Sequence, residues 1–416
     1  MLIREASILI DGRLLRDMNI TIEGSRITEI SPDIRDESRD GEVIDASGML
    51  AIPGLINAHT HLAMTLFRGY ADDMELIPWL EEKIWPLEAK LTSRDIHWGV
   101  KLGCLEMIRA GITCYSDMYY FMDETAQATK EMGLRAFLSA VLFDMRPDLI
   151  EDAEPFIKRW KGDDLVVPTV GPHAVYTCSE ETLLKAMDLA EKHNVMLHIH
   201  LSETRSEVES FVNNCGQSPV EYLDSLGFLS NRVVAAHCTW LSPKDISIIA
   251  DRGVHVAHCS ISNQKLASGI APLDQLQKAG VNICLGTDGA SSNNSLNLFQ
   301  EMKTTAISQK CAHSRPDIFG AIEVWKMATE NAYAAFGLDL GLRAGALADL
   351  ALIDLKKPWF CPLTNENIVS HLVYSAQGGV DTTIVGGKVL MRGGVIPGEE
   401  AILDRAQEQF QDLVAR

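Results

Sequence analysis

Two histidines one residue apart follow a buried-type apolar run near the start of the chain. The segment has the sequence Pro-Gly-Leu-Ile-Asn-Ala-His-Thr-His and ends in His59 and His61. Residues two apart in a β-strand point to the same side, so both imidazoles can face one point. Imidazole nitrogens are common ligands of zinc and other divalent metals. A lone pair of this kind more often packs in a core, so a metal site needs ligands from elsewhere.

Further candidate ligands stand at the ends of other apolar segments. They are His173, His198, His200, His237, His258 and Asp288. Polar groups at such positions are costly to bury unless they are paired or bind a ligand. Their recurrence therefore indicates a shared polar centre. His198 and His200 have the same spacing as the first pair, so spacing alone leaves either of them as the ligand.

Eight strand-like segments between residues 53 and 341 carry these groups. They are Gly54–His59, Thr113–Met118, Arg135–Leu142, Leu165–Val170, Met196–Leu201, Arg232–His237, His255–His258 and Ile283–Thr287. Amphipathic segments such as Thr182–Glu191, Lys244–Asp251 and Leu296–Ser308 separate them. Alternating strands and helices indicate right-handed βαβ units. Eight such units predict an α/β fold with a (β/α)₈ TIM-like barrel, in which working residues lie at the carboxyl ends of the strands.

Both ends of the chain are predicted to be mainly β-structure. The predicted elements are strands at Ala6–Ile10, Met18–Ile22, Ile27–Ile30, Ala348–Asp354 and Thr383–Met391, turns at Asp11–Gly12 and Glu23–Gly24, and a closing helix over 399–415. We therefore expect a small composite β-sandwich domain built from residues 1–52 and 342–416. The barrel domain is expected to span 53–341, with Met64–Leu91 inserted after its first strand as a lid or pocket wall.

Composition narrows the range of partners. The 416 residues carry a net charge of −20, which disfavours nucleic acid and anionic membranes as partners. The sequence contains no apolar run of eighteen residues and no signal-peptide pattern at its first residues. Nine scattered cysteines without a Cys-x-x-Cys pair are typical of reduced thiols. A cytoplasmic enzyme with a large core is expected.

Several motifs together resemble those of a known family. The segment ending in His59 and His61, His200-Leu-Ser-Glu203, His237-Cys238 and Gly-Thr-Asp288-Gly-Ala-Ser-Ser-Asn-Asn are similar to motifs of the amidohydrolase superfamily. Trp-Pro-Leu-Glu88 and Gly-Pro-His173-Ala-Val-Tyr resemble the methylthioadenosine/S-adenosylhomocysteine deaminases, whose relatives include 5′-deoxyadenosine deaminases. The resemblance extends over essentially the whole chain.

The resemblance implies one metal ion per chain, held by His59, His61, His200 and Asp288. Zinc suits three imidazoles and a carboxylate, although Fe²⁺ and Mn²⁺ are not excluded. Members with two metals carboxylate a lysine at the end of the fourth strand, and this chain has no lysine there. The resemblance selects His200 over His198, which then packs beside the site or supports a ligand.

The same resemblance implies the catalytic and substrate-binding residues of a deaminase. Zinc makes a water molecule nucleophilic at neutral pH. Asp288 is expected to take its proton, His237 to orient it, and Glu203 to move protons to the substrate ring. Glu88 is expected to hold the ribose hydroxyls, and His173 and Arg146 to contact the nucleoside.

The loop after the third strand bears on the substituent at the 5′ position. Relatives that accept S-adenosylhomocysteine place two arginines there, which suit a carboxylate. This chain has Arg146 at one position and Ala140 at the other. Smaller or apolar groups, as in 5′-deoxyadenosine and 5′-methylthioadenosine, are therefore favoured, while adenosine and S-adenosylhomocysteine stay possible substrates.

The expected partner is a small nucleoside, without nucleic acid or membrane, in a homo-oligomeric protein. One alternative is a deaminase of another ring, of the guanine, cytosine or triazine type, with the same metal site. A second alternative, from a different functional class, is a non-catalytic barrel that serves as an assembly module. Such proteins lose metal ligands, whereas this sequence retains all of them.

Overall fold

The computed structural model describes residues 1–10, 13–33 and 41–416. The described strands, in chain order, are β1 (Leu2–Ile10), β2 (Arg13–Glu23), β3 (Arg26–Ser31), β4 (Val43–Asp45), β5 (Met49–Pro53), β6 (Leu55–Thr60), β7 (Ile112–Tyr119), β8 (Arg135–Leu142), β9 (Val166–Pro172), β10 (Leu197–Leu201), β11 (Val233–His237), β12 (His255–His258), β13 (Ile283–Leu285), β14 (Leu350–Asp354), β15 (Val380–Val385) and β16 (Lys388–Met391). The predicted turn at Asp11–Gly12 lies outside the described residues.

Helices follow nearly every strand of the central region. They are α1 (Leu76–Trp79), α2 (Trp85–Glu88), α3 (Ser93–Arg109), α4 (Met122–Met132), α5 (Pro147–Trp160), α6 (Glu180–His193), α7 (Arg205–Cys215), α8 (Pro219–Ser225), α9 (Pro243–Arg252), α10 (Ser260–Lys265), α11 (Leu273–Lys278), α12 (Leu298–His313), α13 (Ala321–Ala328), α14 (Glu330–Phe336), α15 (Ile368–Ser370) and α16 (Glu399–Ala415). Short 3₁₀ turns cover Leu62–Phe67 and Pro358–Phe360, and π-helical turns cover Leu80–Ile84 and His371–Ser375. None of the described helices is long and apolar enough to cross a membrane.

Strands β6 to β13 form one parallel sheet in chain order, which confirms the predicted TIM-like barrel. The outer strands approach each other at the seam: the Asp288 backbone N–H donates to His59 O at 2.9 Å. The Asn57 side chain adds a second link, accepting from Thr287 N at 3.0 Å. Gly286 permits this approach, because a Cβ there would lie 2.9 Å from His59 N. The seam therefore fixes Asp288 beside His59.

The strands of both chain ends form a second, mixed sheet. Its order is β16-β15-β14-β5-β1-β2-β3, with β4 paired to β1. The stretch Thr383–Met391, expected as one strand, is two strands, because Gly386 and Gly387 form a turn with φ of 54° and 73°. A Cβ on Gly387 would lie 2.1 Å from Gly24 O, so glycine is required there. The expected β-module from both termini is thus present as this sheet.

A buried ion pair joins the terminal sheet to the barrel. The Arg135 guanidinium, on β8, donates through Nε to Asp349 Oδ2 at 3.0 Å. Asp349 precedes β14, is fully buried, and also accepts from Gly386 N at 2.7 Å. On the outside, α16 covers α3, where Gln409 Nε2 donates to Asp95 Oδ1 at 2.6 Å. The domain limits at residues 52 and 342 stay predictions.

Candidate metal centre

The imidazoles of His59 and His61 converge with the carboxylate of Asp288 at the carboxyl end of the barrel. Asp288 Oδ1 lies 3.4 Å from His59 Nε2 and 3.2 Å from His61 Nε2. These ligand atoms lie within 4.8 Å of one another, a spacing that a single metal ion can bridge. His59 and Asp288, 229 positions apart in sequence, thus meet because β6 and β13, the two outer strands of the sheet, contact each other at the seam.

His200 and His237 complete the centre. His200 Nε2 lies 3.3 Å from His61 Nε2. The ligand atoms of His59, His200 and His237 form a second group within 4.8 Å, so the two groups share His59. The structure therefore brings together all four residues expected to bind metal, with His237 beside them.

The far ring nitrogen of each histidine is held by an acceptor. His61 Nδ1 donates to Met118 O at 2.6 Å, and His200 Nδ1 donates to His173 O at 2.8 Å. His237 Nδ1 lies 2.8 Å from Asn263 Oδ1. A backbone carbonyl can only accept, so the neutral His61 and His200 rings carry their proton on Nδ1. Their Nε2 lone pairs are then free for a metal ion.

His198 supports His59 in the same way. His59 Nδ1 lies 3.0 Å from His198 Nε2, and His198 Nδ1 lies 3.0 Å from Ser116 Oγ. Donation from His59 to His198 and from His198 to Ser116 satisfies all three groups. His198, one of the two alternatives left by spacing, is thus a hydrogen-bond partner of His59 and presents no free nitrogen to the centre.

The donor set fits a divalent cation. His59 Nε2 is buried and has no hydrogen-bond partner among the described residues. Burial lowers the pKa of His59 to about 4, and it lowers the pKa of His200 well below its usual value. Burial also opposes protonation of His61, but Asp288 outweighs it and raises the pKa of His61 to about 9. The Asp288 carboxylate thus favours a positive charge between itself and the histidines. A divalent metal ion bound by three neutral imidazoles would provide that charge.

Asp288 is oriented so that one oxygen faces the histidines. Its Oδ2 accepts from Ser262 Oγ at 2.6 Å and from Ser292 Oγ at 2.9 Å. Burial alone would raise the pKa of this carboxyl, but the adjacent imidazoles of His59 and His61 hold it well below its usual range. The Asp288 backbone has φ of 61°, a strained conformation for this residue. The backbone hydrogen bond at the seam and the hydroxyls of Ser262 and Ser292 together hold Asp288 in this conformation.

Glu203 lies on the loop after β10, against His237. Its Oε2 is 3.7 Å from His237 Nε2, and the residue is buried. Burial raises the pKa of this carboxyl, and the charge of Asp288 adds to the effect, although His237 opposes it. Glu207, at the start of α7, fixes the loop by accepting from Glu203 N at 2.7 Å. A carboxyl of raised pKa beside the histidines is suited to exchanging protons.

A cavity of about 70 Å³ opens beside His61. Glu88 and His173 both line it, together with Met64, Trp85 and Tyr119. Tyr119 donates its hydroxyl to Glu88 Oε1 at 2.6 Å. Burial raises the pKa of Glu88, while the Tyr119 hydrogen bond lowers it. Residues inserted after the first barrel strand thus form part of the cavity wall, as the sequence predicts.

Arg146 lies apart from this cavity, at the start of α5. Its guanidinium makes two hydrogen bonds to Asp148, from Nε to Oδ1 at 2.9 Å and from Nη2 to Oδ2 at 2.7 Å. It also lies over the Tyr120 ring, 5.6 Å from its centroid. Ala140 and Arg146 both line a second cavity, of about 290 Å³. The structure thus places Arg146 in this second cavity and not in the cavity that contains Glu88 and His173, and pairs it with Asp148.

Sequence reasoning missed the residues that support the centre. Ser116 holds His198, Asn263 holds His237, and Ser262 and Ser292 hold Asp288. Glu207 holds the loop of Glu203, and Tyr119 holds Glu88. Hydroxyls and amides of this kind occur throughout the chain and carry no spacing signal. Only the Thr204–Glu207 capping box at the start of α7 had a recognisable pattern in the sequence.

Comparison with known proteins places this site in a family. A model of the Amidohydrolase family matches residues 50–390. The chain is 65% identical over 415 residues, 100% of both proteins, to a 5'-deoxyadenosine deaminase of Methanothrix thermoacetophila. It is 44% identical over 423 residues, 99% of both, to a 5-methylthioadenosine/S-adenosylhomocysteine deaminase 1 of Archaeoglobus fulgidus. An adenosine deaminase of Xanthomonas campestris with bound zinc superposes with a TM-score of 0.94 and 32% identity, covering 100% of this chain and 98% of that one. The protein belongs to the amidohydrolase family.

Proposed function

We propose that the protein is a zinc-dependent hydrolytic deaminase that converts 5′-modified adenosines, 5′-deoxyadenosine first among them, to the corresponding inosines and ammonia. The observation that carries the proposal is 65% identity over the full chain to a 5'-deoxyadenosine deaminase. The convergence of His59, His61 and Asp288 into a group able to hold a metal ion supports it. The bound zinc of the adenosine deaminase from Xanthomonas campestris favours zinc over iron or manganese.

His59, His61, His200 and Asp288 would hold the ion, one per chain. Zinc bound at such a site supplies an activated water nucleophile at neutral pH. Asp288 accepts a proton from that water at Oδ1, because its Oδ2 is occupied by Ser262 and Ser292. His237 keeps its proton on Nδ1, facing Asn263, so its Nε2 accepts a hydrogen bond and orients the water.

Glu203 carries the proton to the substrate. In the proposed reaction the water attacks C6 of the adenine ring, and Glu203 protonates N1. The proton held by Asp288 then passes to the amino group, and Glu203 takes up the proton of the new C6 hydroxyl as the carbonyl forms, so that ammonia departs and the inosine ring remains. Burial raises the pKa of Glu203, which favours the protonated form that this transfer needs. Its Oε2 lies 3.7 Å from His237 Nε2, the atom proposed to orient the water, which supports this role.

The ribose is assigned to Glu88 and the nucleoside edge to His173. Each carboxylate oxygen of Glu88 can accept from one hydroxyl of a vicinal diol. His173 Nδ1 lies 2.9 Å from Thr177 Oγ1, and burial lowers the pKa of this imidazole to about 3. Neutral His173 therefore offers Nε2 as an acceptor. The relative named for methylthioadenosine and S-adenosylhomocysteine makes 5′-methylthioadenosine the second candidate substrate. The homo-oligomeric state and the cytoplasmic location stay predictions.

An ammonia-release screen tests the proposal. The purified, zinc-loaded protein is assayed with adenosine, 5′-deoxyadenosine, 5′-methylthioadenosine, S-adenosylhomocysteine, guanine and cytosine. We expect the highest kcat/KM with 5′-deoxyadenosine, followed by 5′-methylthioadenosine, and no turnover of the free bases. Turnover of guanine or cytosine alone would support a deaminase of another ring. Metal-loaded protein inactive on all six compounds would support a non-catalytic barrel and contradict the proposal.

A further inference from the structure

Two cavities share one wall at the carboxyl end of the barrel. The first, about 70 Å³, contains Glu88 and His173. The second, about 290 Å³, lies between α4, α5 and the end of β8. Tyr119, Tyr120 and Val141 line both. Since Tyr119 also holds Glu88, the ribose end of a nucleoside bound as proposed lies against this common wall. Its 5′ substituent is then directed toward the second cavity.

The second cavity is apolar at its base and acidic at its edge. Ala140, Met122 and Phe156 form part of the apolar surface. Its charged lining residues are the carboxylates of Asp123, Glu124, Asp148 and Asp152 and the guanidinium groups of Arg146 and Arg159. Arg159 is paired with Asp123, and Arg146 with Asp148. The four carboxylates outnumber the two cations, so the cavity is unfavourable for a ligand with a further negative charge.

Asp148 occupies the groups of Arg146 that a ligand carboxylate would need. Both carboxylate oxygens of Asp148 are engaged, at 2.9 Å and 2.7 Å from Arg146 nitrogens. The pair is partly exposed, with 44% of the Arg146 side chain and 58% of the Asp148 side chain accessible, so its own strength is modest. However, Asp148 is tethered two residues away and is therefore present at high effective concentration. An incoming carboxylate must displace it and then remain beside its charge.

The resemblance already implies that the 5′ substituent lies beside Ala140 and Arg146, which line this second cavity. We propose that Asp148 makes the cavity selective for uncharged substituents by neutralising Arg146. The inference rests on the proposed function, because it assumes that a 5′-modified adenosine binds with its ribose at Glu88. It assigns to Asp148 a role in specificity: the residue excludes anionic 5′ groups, while Ala140 and Phe156 favour short apolar ones.

The test compares two 5′ substituents of the same shape and different charge. The substrates are 5′-S-(3-carboxypropyl)thioadenosine and its neutral 3-carbamoylpropyl analogue, with 5′-deoxyadenosine as reference. The measured quantity is the ratio of kcat/KM for the carboxylate to kcat/KM for the carboxamide. We expect Asp148→Asn, and Asp148→Ser as a second neutral replacement, to raise this ratio about tenfold over wild type. Adding Arg146→Gln should abolish the gain, because Arg146 is the group set free.

The chain offers a matched control. Arg315 and Asp317 form the same two-residue pair at the surface, from Nε to Oδ1 at 3.1 Å and from Nη2 to Oδ2 at 2.6 Å. Asp317→Asn should leave the ratio at its wild-type value. An unchanged ratio in Asp148→Asn, with ammonia still released from the neutral analogue, would overturn the specificity role of Asp148. Absence of ammonia release from all three compounds in the wild-type protein would overturn the proposed function and the specificity role with it.

Discussion

Replacing His198 by leucine tests whether a hydrogen bond to His59 governs metal affinity. Metal binding at His59 Nε2 requires the ring proton on Nδ1, where His198 Nε2 accepts it at 3.0 Å. Leucine fills a similar volume but accepts no hydrogen bond, so the bound state would bury an unsatisfied N–H. In the metal-free protein the proton can move to Nε2, where the Asp288 carboxylate, 3.4 Å away, offsets the cost by its charge. The penalty therefore falls mainly on metal binding.

The expected loss of zinc affinity follows from the free energy of burying the His59 N–H without an acceptor. A buried donor without a partner costs about 1–3 kcal/mol. Since 1.4 kcal/mol corresponds to about tenfold in a binding constant, zinc affinity should fall by about 5- to 150-fold. Glutamine at this position can place its amide oxygen near the site of Nε2. We therefore expect His198→Gln to retain zinc to within about fivefold of wild type.

Competition of the purified proteins with a chromophoric zinc chelator measures this affinity. His193→Leu serves as the control, because His193 is also buried but contacts Glu154 on the outer helices, away from the centre. It should leave zinc affinity unchanged. A folded His198→Leu protein with wild-type affinity would refute the supporting role of His198. Equal losses in the leucine and glutamine variants would refute the hydrogen-bond explanation.

Three further predictions concern the proton carrier, the sheet–barrel contact and pH. Glu203→Gln should keep stoichiometric zinc yet lower kcat at least about 100-fold, measured by ammonia release and metal analysis; wild-type turnover would remove Glu203 from the reaction. Asp349→Ala leaves the buried Arg135 unpaired and should cost about 3–5 kcal/mol of the free energy of unfolding, measured by urea denaturation; a loss below about 1 kcal/mol would contradict it. Burial raises the pKa of Glu301 to about 8, so protonation favours the folded state. The stability that this group contributes is complete below its unfolded pKa of about 4.3 and is lost as pH rises through the folded value. Wild type should therefore lose more stability than Glu301→Gln between about pH 5 and pH 8 in parallel melting curves, and parallel loss in both proteins would count against a raised pKa.

The barrel could be predicted from sequence because its strands are apolar, short and separated by amphipathic segments. The predicted bounds Arg135–Leu142 and His255–His258 coincide with β8 and β12. The strand prediction fails where the backbone conformation required by the fold differs from the one that the residue types favour. The stretch Thr383–Met391 is rich in strand-forming residues, yet its two adjacent glycines turn the chain and divide it. A local pattern does not reveal that Gly387 must pass close to Gly24.

The candidate site shows the same division between local and distant information. Spacing placed His59 and His61 together, and the resemblance added His200 and Asp288. The choice between His198 and His200 depends on which ring nitrogens find acceptors. The acceptors that decide it are Ser116, on β7, and the carbonyl of His173, directly after β9, and both are distant in sequence. Similarly, the sequence places Arg146 near the substrate loop, but its pairing with Asp148 is visible only in three dimensions.

Anomalous diffraction at the zinc edge, on crystals of the zinc-loaded protein, tests whether one metal ion binds at the end of the barrel. We expect one peak per chain, about 2.0–2.2 Å from His59 Nε2, His61 Nε2, His200 Nε2 and Asp288 Oδ1. Two peaks in the barrel, or a single peak bound by other residues, would contradict it.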